Sequence, residues 1–367
     1  MEDGDRTRAG RLPLIATAAL VLGALSLTLG LFKQLSSIIG PTFLAVNLLI
    51  TAYPLYRWLE RRRVPRVLSA LCTGLVLFLT LVIGMGALVW SGASMVASLT
   101  DYGPQFTVLY RQGIDLLANL GFAESFLQEQ LKSISPSNVI TLVGNVVSEI
   151  SGATGALFVI LICMFFMVFD LPTMARRLQI TDRLHPHFTQ SLEAFATGIR
   201  RYWLVTTVFG LIVALLDGVV LVLVGVPLPL VWVILSFITN YIPNIGFVLG
   251  LLPPALLTLF EKGPWEALVV VVAYSALNFV IQSIIQPKFT GDAVGVTPVV
   301  SFLSLLLWTA VFGPLLGALL ALPLTLMVKS LLLDNDPKVR WMGAFIAADP
   351  SVVDTGDCED SPAGQAR

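Results

Sequence analysis

Asn278, Gln282 and Gln286 stand four residues apart in a helix-length apolar stretch. On a helix that spacing lines three carboxamides along one face. Carboxamides in lipid are costly, so the stripe faces protein or a wet path. Interhelical hydrogen bonding is its structural use; solute recognition is its functional one. Two knots flank it. Asn240, Pro243, Asn244 and Gly246 interrupt the apolar run 230–260, and Gly313, Pro314 and Gly317 interrupt the run 299–328. Broken backbone inside a bilayer survives only against protein or a water-filled cavity, and paired interrupted segments point to a transporter's binding region. Asn240 and Asn244 either cap the half-helices made by the break or offer amides to an ion or solute. Asp217 is the single charge in the run 202–224. An acid at that depth marks function by default, which makes it the candidate for ion coupling; the structural alternative is a hydrogen bond to a neighbouring helix. Lys288 and Asp292, just past the stripe, are candidate contacts at a mouth.

Nothing else in the chain has the pattern of a reactive centre. His-Glu-x-x-His, Gly-x-Ser-x-Gly and a Walker-type phosphate loop are all missing from the sequence, which argues against a zinc or serine hydrolase and against drive by ATP. His185 and His187 flank Pro186 in a basic linker and read as a loop detail rather than a metal site. Cys72, Cys163 and Cys358 imply no disulfide framework. No cofactor or metal is expected, and no enzymatic activity.

The elements that must position these residues are set by composition. Hydrophobic residues make up 56% of the chain and charged residues 12%, about half the charged share of a soluble domain. Mean hydropathy is +0.86. A net charge of −1 argues against nucleic acid; the expected partners are the lipid bilayer, a small-molecule or cation substrate, and further copies of the chain.

Residues 1–98 read as a short basic segment and three spans. The first, 12–32, is uncharged for 21 residues, enough to cross about 30 Å of hydrocarbon and longer than the core of a signal peptide. The second is 34–56. The third occupies part of 67–100 and ends near Trp90, an interfacial anchor. Arg57, Arg61, Arg62, Arg63 and Arg66 place the loop between the second and third spans in the cytoplasm. Residues 99–149 are polar, with apolar positions at helical spacing such as Phe106, Leu109, Leu116 and Leu120; they read as external amphipathic helices. Residues 150–201 hold a fourth span, stopped at Asp170, Leu171 and Pro172, and a basic cytoplasmic linker. Residues 202–333 form the transport core. Residues 334–367 are a cytoplasmic tail, disordered at its end. The fold class expected is an all-α polytopic membrane protein of about eight hydrophobic spans, two of them broken or re-entrant, plus the external amphipathic segment.

As one helix, 230–260 would be about 46 Å long and overshoot the bilayer. Each broken segment therefore crosses once with a break or returns as a hairpin. Either count is even and leaves both termini in the cytoplasm. A faint echo links the two segments, since Thr239 to Pro253 and Thr309 to Pro323 are both 14 residues apart.

The string Asn240, Tyr241, Ile242, Pro243, Asn244, Ile245, Gly246, followed by Pro253 and Pro254, resembles the autoinducer-2 exporter family of permease-like proteins. So do Arg63, Val64, Pro65 and Arg66 after the second span, Pro287 to Gly291, Phe312 to Gly317, and Leu322 to Thr325 with Val328 and Lys329. The order and spacing hold from the first span to about Leu333. The resemblance implies an inner-membrane protein with cytoplasmic termini that exports a small organic solute, autoinducer-2 in the best-known case; other members are associated with sodium/proton exchange. In one departure, Gln286 precedes Pro287 where the family often carries an acid, which weakens a proton or cation role at that position. Asp217 is outside the family's pattern and stands on the burial argument alone.

The leading expectation is a secondary transporter of the autoinducer-2 exporter type, moving a small polar organic solute across the inner membrane. A sodium(lithium)/proton antiporter is the alternative within the same class. A passive channel or a membrane scaffold is the alternative outside it.

Overall fold

A computed structural model of the chain describes residues 14–101, 154–242, 246–286 and 297–333, with isolated positions 108, 111, 112, 141 and 289. Every element among them is helical: α1 (Leu14–Gln34), α2 (Ser36–Arg61), α3 (Arg66–Asp101), α4 (Thr154–Leu184), α5 (Pro186–Val224), α6 (Pro229–Thr239), α7 (Gly246–Glu261), α8 (Pro264–Asn278), α9 (Pro298–Phe312) and α10 (Pro314–Val328). The helix α8 continues as a π-helix, Phe279–Ile285, and α10 as another, Lys329–Leu333. The expected amphipathic region at 99–149 falls almost wholly outside the described residues, as does the tail.

Six of these helices are long and apolar enough to cross a membrane: α2, α3 as far as Ser94, α4, α5, α8 with its π extension, and α10 with its own as far as Leu331. Their outer faces expose large apolar side chains, Leu223 at 81% and Phe166 at 66% among them. Such a surface is stable in lipid and a liability in water. The fold is therefore an all-α polytopic membrane protein.

The helices run further than the spans read from sequence. α4 continues through Asp170, Leu171 and Pro172 to Leu184. Pro172 removes one backbone hydrogen bond, but Leu171 and Val168 are buried against Tyr56, Leu49 and Ala70, and that packing holds the helix on both sides of the proline. Nor is the segment up to Arg201 an open linker. After a corner at His185, α5 starts at Pro186, where a proline fits the first turn, and continues to Val224. The third helix reaches Asp101, while its apolar span ends at Ser94, close to Trp90.

Each broken segment folds back on itself. In the first, α6 and α7 form an antiparallel hairpin in which Gly250 lies against Ser236 and Thr239. Its two roots meet: Gly225, which ends α5 at φ 77°, lies beneath the Lys262 ammonium that follows α7. The hairpin thus enters and leaves at one end of the bundle, opposite the end that carries Arg57 to Arg66, Arg176 and Arg201. In the second, α9 and α10 pair around Gly313 (φ 85°), and Trp308 bonds Thr325 across the hairpin. Its tip reaches Gly40, four residues into α2, where Phe312 and Leu316 pack. The two hairpins therefore insert from opposite ends. The arms of the first, 11 and 16 residues, are about 16 and 24 Å long, short of a full crossing.

The core divides accordingly. One cluster joins α2, α4 and α5 to the second hairpin through Ala45, Ile199, Trp308 and Leu320. Another joins α5 and α8 to the first hairpin through Leu221, Trp232, Leu257 and Tyr274. The Ser91 hydroxyl on α3 donates to the Val231 carbonyl at 2.8 Å and fastens α6 from behind.

Candidate functional site: a polar seam along the first hairpin

Polar side chains from α5, α6 and α8 meet in two layers, one helical turn apart on α6 and α8. In the first layer the Ser236 hydroxyl donates to Asp217 Oδ2 at 2.7 Å. Asp217 is 0% exposed, and its Oδ1 has no hydrogen-bond partner. Tyr274, also 0% exposed, lies within electrostatic reach of Asp217, and its hydroxyl is likewise unpartnered. An unsatisfied buried polar atom costs roughly 1–3 kcal/mol, so two in one layer call for an explanation beyond packing.

In the second layer Gln282 Nε2 donates to Asn240 Oδ1 at 3.0 Å and to Asn278 Oδ1 at 2.9 Å. Asn278 Nδ2 donates to the Tyr274 carbonyl at 2.9 Å, and Asn240 Nδ2 to the Gly210 carbonyl at 3.4 Å. The geometry follows from helix directions. Asp217 and Gly210 are two turns apart on α5, Ser236 and Asn240 one turn apart on α6, and Tyr274 and Asn278 one turn apart on α8. The seam so formed runs for about 10 Å along the bundle.

Local sequence explains each placement. Gly246 opens α7 so close to α6 that a Cβ there would run into the Thr239 carbonyl; only glycine lets the return arm pass. Beyond Asn278 the helix widens to π geometry, and the Gln286 N–H reaches back five residues to the Ile281 carbonyl. Such bulges recur at functional sites; this one carries Gln282. Past the bulge, Arg201 Nε and Nη2 clamp the Phe289 carbonyl at 3.1 and 3.0 Å, and the Phe209 and Phe289 rings pack 5.4 Å apart. On the far side of Asn240, Tyr241 shares a 2.8 Å hydrogen bond with Thr207 and packs on Trp203.

Of the residues singled out from sequence, Asn240, Asn278 and Gln282 come together, and Asp217 lies in the adjoining layer. Gln286 ends the π-helix, half-buried. Gly246 shapes the hairpin that brings Asn240 to the seam. Gly313, Pro314 and Gly317 are elsewhere, at the tip of the second hairpin beside α2. Pro243, Asn244, Lys288 and Asp292 lie outside the described residues. Sequence reading missed Ser236 and Tyr274. Each stands four residues before a residue that was singled out, so extending the same helical spacing by one turn would have found both. Among the described residues no group of three or more His, Cys, Asp or Glu forms a metal-binding cluster.

The arrangement can hydrogen-bond a polar solute, or hold a cation or proton at a buried carboxylate. It contains no activated nucleophile. Comparison with known proteins points the same way. The sequence pattern of the AI-2E family transporter matches residues 15–334, from α1 to the end of α10. The AI-2 transport protein TqsA of Escherichia coli K12 is 29% identical over 310 residues, covering 84% of this chain and 90% of TqsA. The putative transport protein YhhT of the same organism is 27% identical over 312 residues, covering 84% and 88%. A putative transport protein of Haemophilus influenzae is 27% identical over 348 residues, covering 92% and 96%. With a family pattern that spans every described helix and a polar seam where its most specific motif begins, this chain belongs to the AI-2E transporter family.

Proposed function

We propose that the chain is a secondary transporter that moves a small polar organic solute of the autoinducer-2 type across the bacterial inner membrane, with the seam between α5, α6 and α8 as its pathway. The observation that carries this reading is the amide layer of Asn240, Asn278 and Gln282 at the tip of a hairpin too short to cross. Those carboxamides offer donors and acceptors suited to a hydroxylated solute, at depth, beside backbone that the hairpin turn interrupts. The similarity to TqsA supports the substrate class. The arginine-rich end faces the cytoplasm, because arginines in short loops are retained there, and both termini lie on that side.

Counterflow of labelled autoinducer-2 in proteoliposomes tests the reading. Uptake above that of empty vesicles is expected, and it should fall in Asn240→Leu and Gln282→Leu. Uptake that is equal in empty vesicles, from protein shown to be correctly inserted, would remove the substrate assignment.

A specific observation favours a second reading, sodium(lithium)/proton antiport: the Asp217 Oδ1 and the Tyr274 hydroxyl are both buried and unpartnered. A carboxylate there can exchange a proton for a small cation. Sodium or lithium pulses given to vesicles with an entrapped pH dye should then produce a signal that Asp217→Asn abolishes. A signal unchanged in that variant would exclude Asp217 as the coupling site.

A further inference from the structure

At the arginine-rich end, away from the seam, the end of α2, the start of α3 and the end of α4 enclose a cavity of about 400 Å³. Arg57, Arg66 and Arg176 line it, with Glu60 as the only acid among the lining residues. Glu60 is shared between Arg57 at 3.8 Å and Arg66 at 3.1 Å, while Arg176 has no ion-pair partner among the described residues. Three guanidiniums against one carboxylate leave the cavity with a surplus of two positive charges. The N-terminus of α3, at Arg66, adds a dipole of the same sign.

Further along α3 and α4 toward the other end of the bundle lies an apolar groove of about 240 Å³, lined among others by Leu71, Leu75, Phe78, Phe165 and Phe169 and floored where Gly74 meets Val168. These five side chains are exposed, Leu75 at 57% and Phe165 at 59%, so the groove opens sideways to lipid. Trp58, 52% exposed with the Arg62 guanidinium 5.1 Å from its ring centre, sets the depth. It lies one residue from Arg57, and an exposed tryptophan in such company sits at the headgroup level. A basic cavity at headgroup depth and, further along the same two helices, an apolar groove at acyl depth match the two halves of one molecule.

We propose that α2, α3 and α4 form a binding site for a single anionic phospholipid, its phosphate held by Arg57, Arg66 and Arg176 and one acyl chain laid along the α3–α4 groove. Basic pockets between membrane helices recognise phosphate headgroups in this way. Both halves are needed, since arginines alone would serve a soluble phosphate as well and the groove alone would take any lipid.

Native mass spectrometry of the full chain in detergent tests this, with dioleoylphosphatidylglycerol, dioleoylphosphatidylcholine or glycerol 1-phosphate added. Phosphatidylglycerol should bind about tenfold more tightly than phosphatidylcholine, as expected from one or two arginine contacts. The Arg57→Gln/Arg176→Gln variant should lose about thirtyfold, at roughly fivefold per arginine, and Leu75→Trp, which fills the groove without touching a charge, should also weaken binding. Equal affinity for the two lipids in the native protein would overturn the proposal whether or not the variants fold. So would undiminished binding to the double variant, and displacement of the lipid by millimolar glycerol 1-phosphate would reassign the site to a soluble phosphate.

Discussion

The two hairpins share a plan and differ in where their polar groups point. In both, a threonine ends or nearly ends the first arm (Thr239, Thr309), and a glycine early in the return arm presses on the backbone of the outgoing one. A buried proline (Pro253, Pro323) follows 14 residues after that threonine. The second hairpin satisfies its polar groups internally: Trp308 Nε1 donates to the Thr325 hydroxyl at 3.1 Å, and that hydroxyl is 2.8 Å from Ser304. The first hairpin sends them outward, Ser236 to Asp217 on α5 and Asn240 to Gly210 and Gln282. A hairpin closed on itself is a structural wedge. One whose Ser236 and Asn240 side chains are completed by neighbouring helices, where two buried atoms of those helices, on Asp217 and Tyr274, are unsatisfied, can exchange those partners for a solute or an ion.

That contrast can be broken by mutation, and the largest effect is expected at Asp217. Asp217→Asn keeps an acceptor for Ser236 and removes a buried charge, so transport should fall roughly tenfold or more, as for loss of a charged hydrogen bond, while the thermal midpoint holds or rises. Thr325→Val in the second hairpin should leave transport unchanged. Next come the two close-approach glycines. Gly246→Ala and Gly317→Ala each force a Cβ into the opposite arm's backbone and should cost about 1–3 kcal/mol in unfolding experiments, but only the first should also reduce transport per folded molecule. Gln282→Leu removes the bond to Asn240 that joins α8 to the first hairpin; a roughly fivefold loss of flux is expected, the equivalent of about 1 kcal/mol for that bond. Its counterpart, Trp308→Phe, should cost about 0.6 kcal/mol, a typical interhelical bond in a membrane protein, with no change in flux. The smallest effect is expected from Arg201→Gln, which releases the Phe289 carbonyl: faster proteolysis at Phe289 with nearly unchanged stability.

Much of this was legible from residue spacing. The stripe of Asn278 and Gln282 and the knot at Asn240 are detectable because carboxamides are rare in apolar runs, and the structure brings those three side chains into one network. The echo between Thr239–Pro253 and Thr309–Pro323 reflects the shared hairpin plan. The return of each chain segment was not legible, because a break and a hairpin have the same hydropathy; what decides is the pairing of Gly225 with Lys262 and of Trp308 with Thr325, contacts that no local pattern encodes. That the helix continues through Pro172 was not legible for a related reason, since the burial of Leu171 and Val168 overrides a local helix breaker. Gly313 and Pro314 carry the same knot signature as Asn240 and Gly246, yet the partners of the second hairpin lie within it, and sequence alone does not separate the two cases.

Substituted-cysteine labelling separates the two hairpins by experiment. With Cys72, Cys163 and Cys358 changed to alanine, Asn240→Cys and Ser304→Cys are each exposed to a small charged methanethiosulfonate reagent in proteoliposomes. Rapid labelling of Asn240→Cys, slowed by autoinducer-2 or by sodium, with Ser304→Cys inert, is the expected result. An inert Asn240→Cys beside a reactive Ser304→Cys would contradict it and move the pathway to the second hairpin.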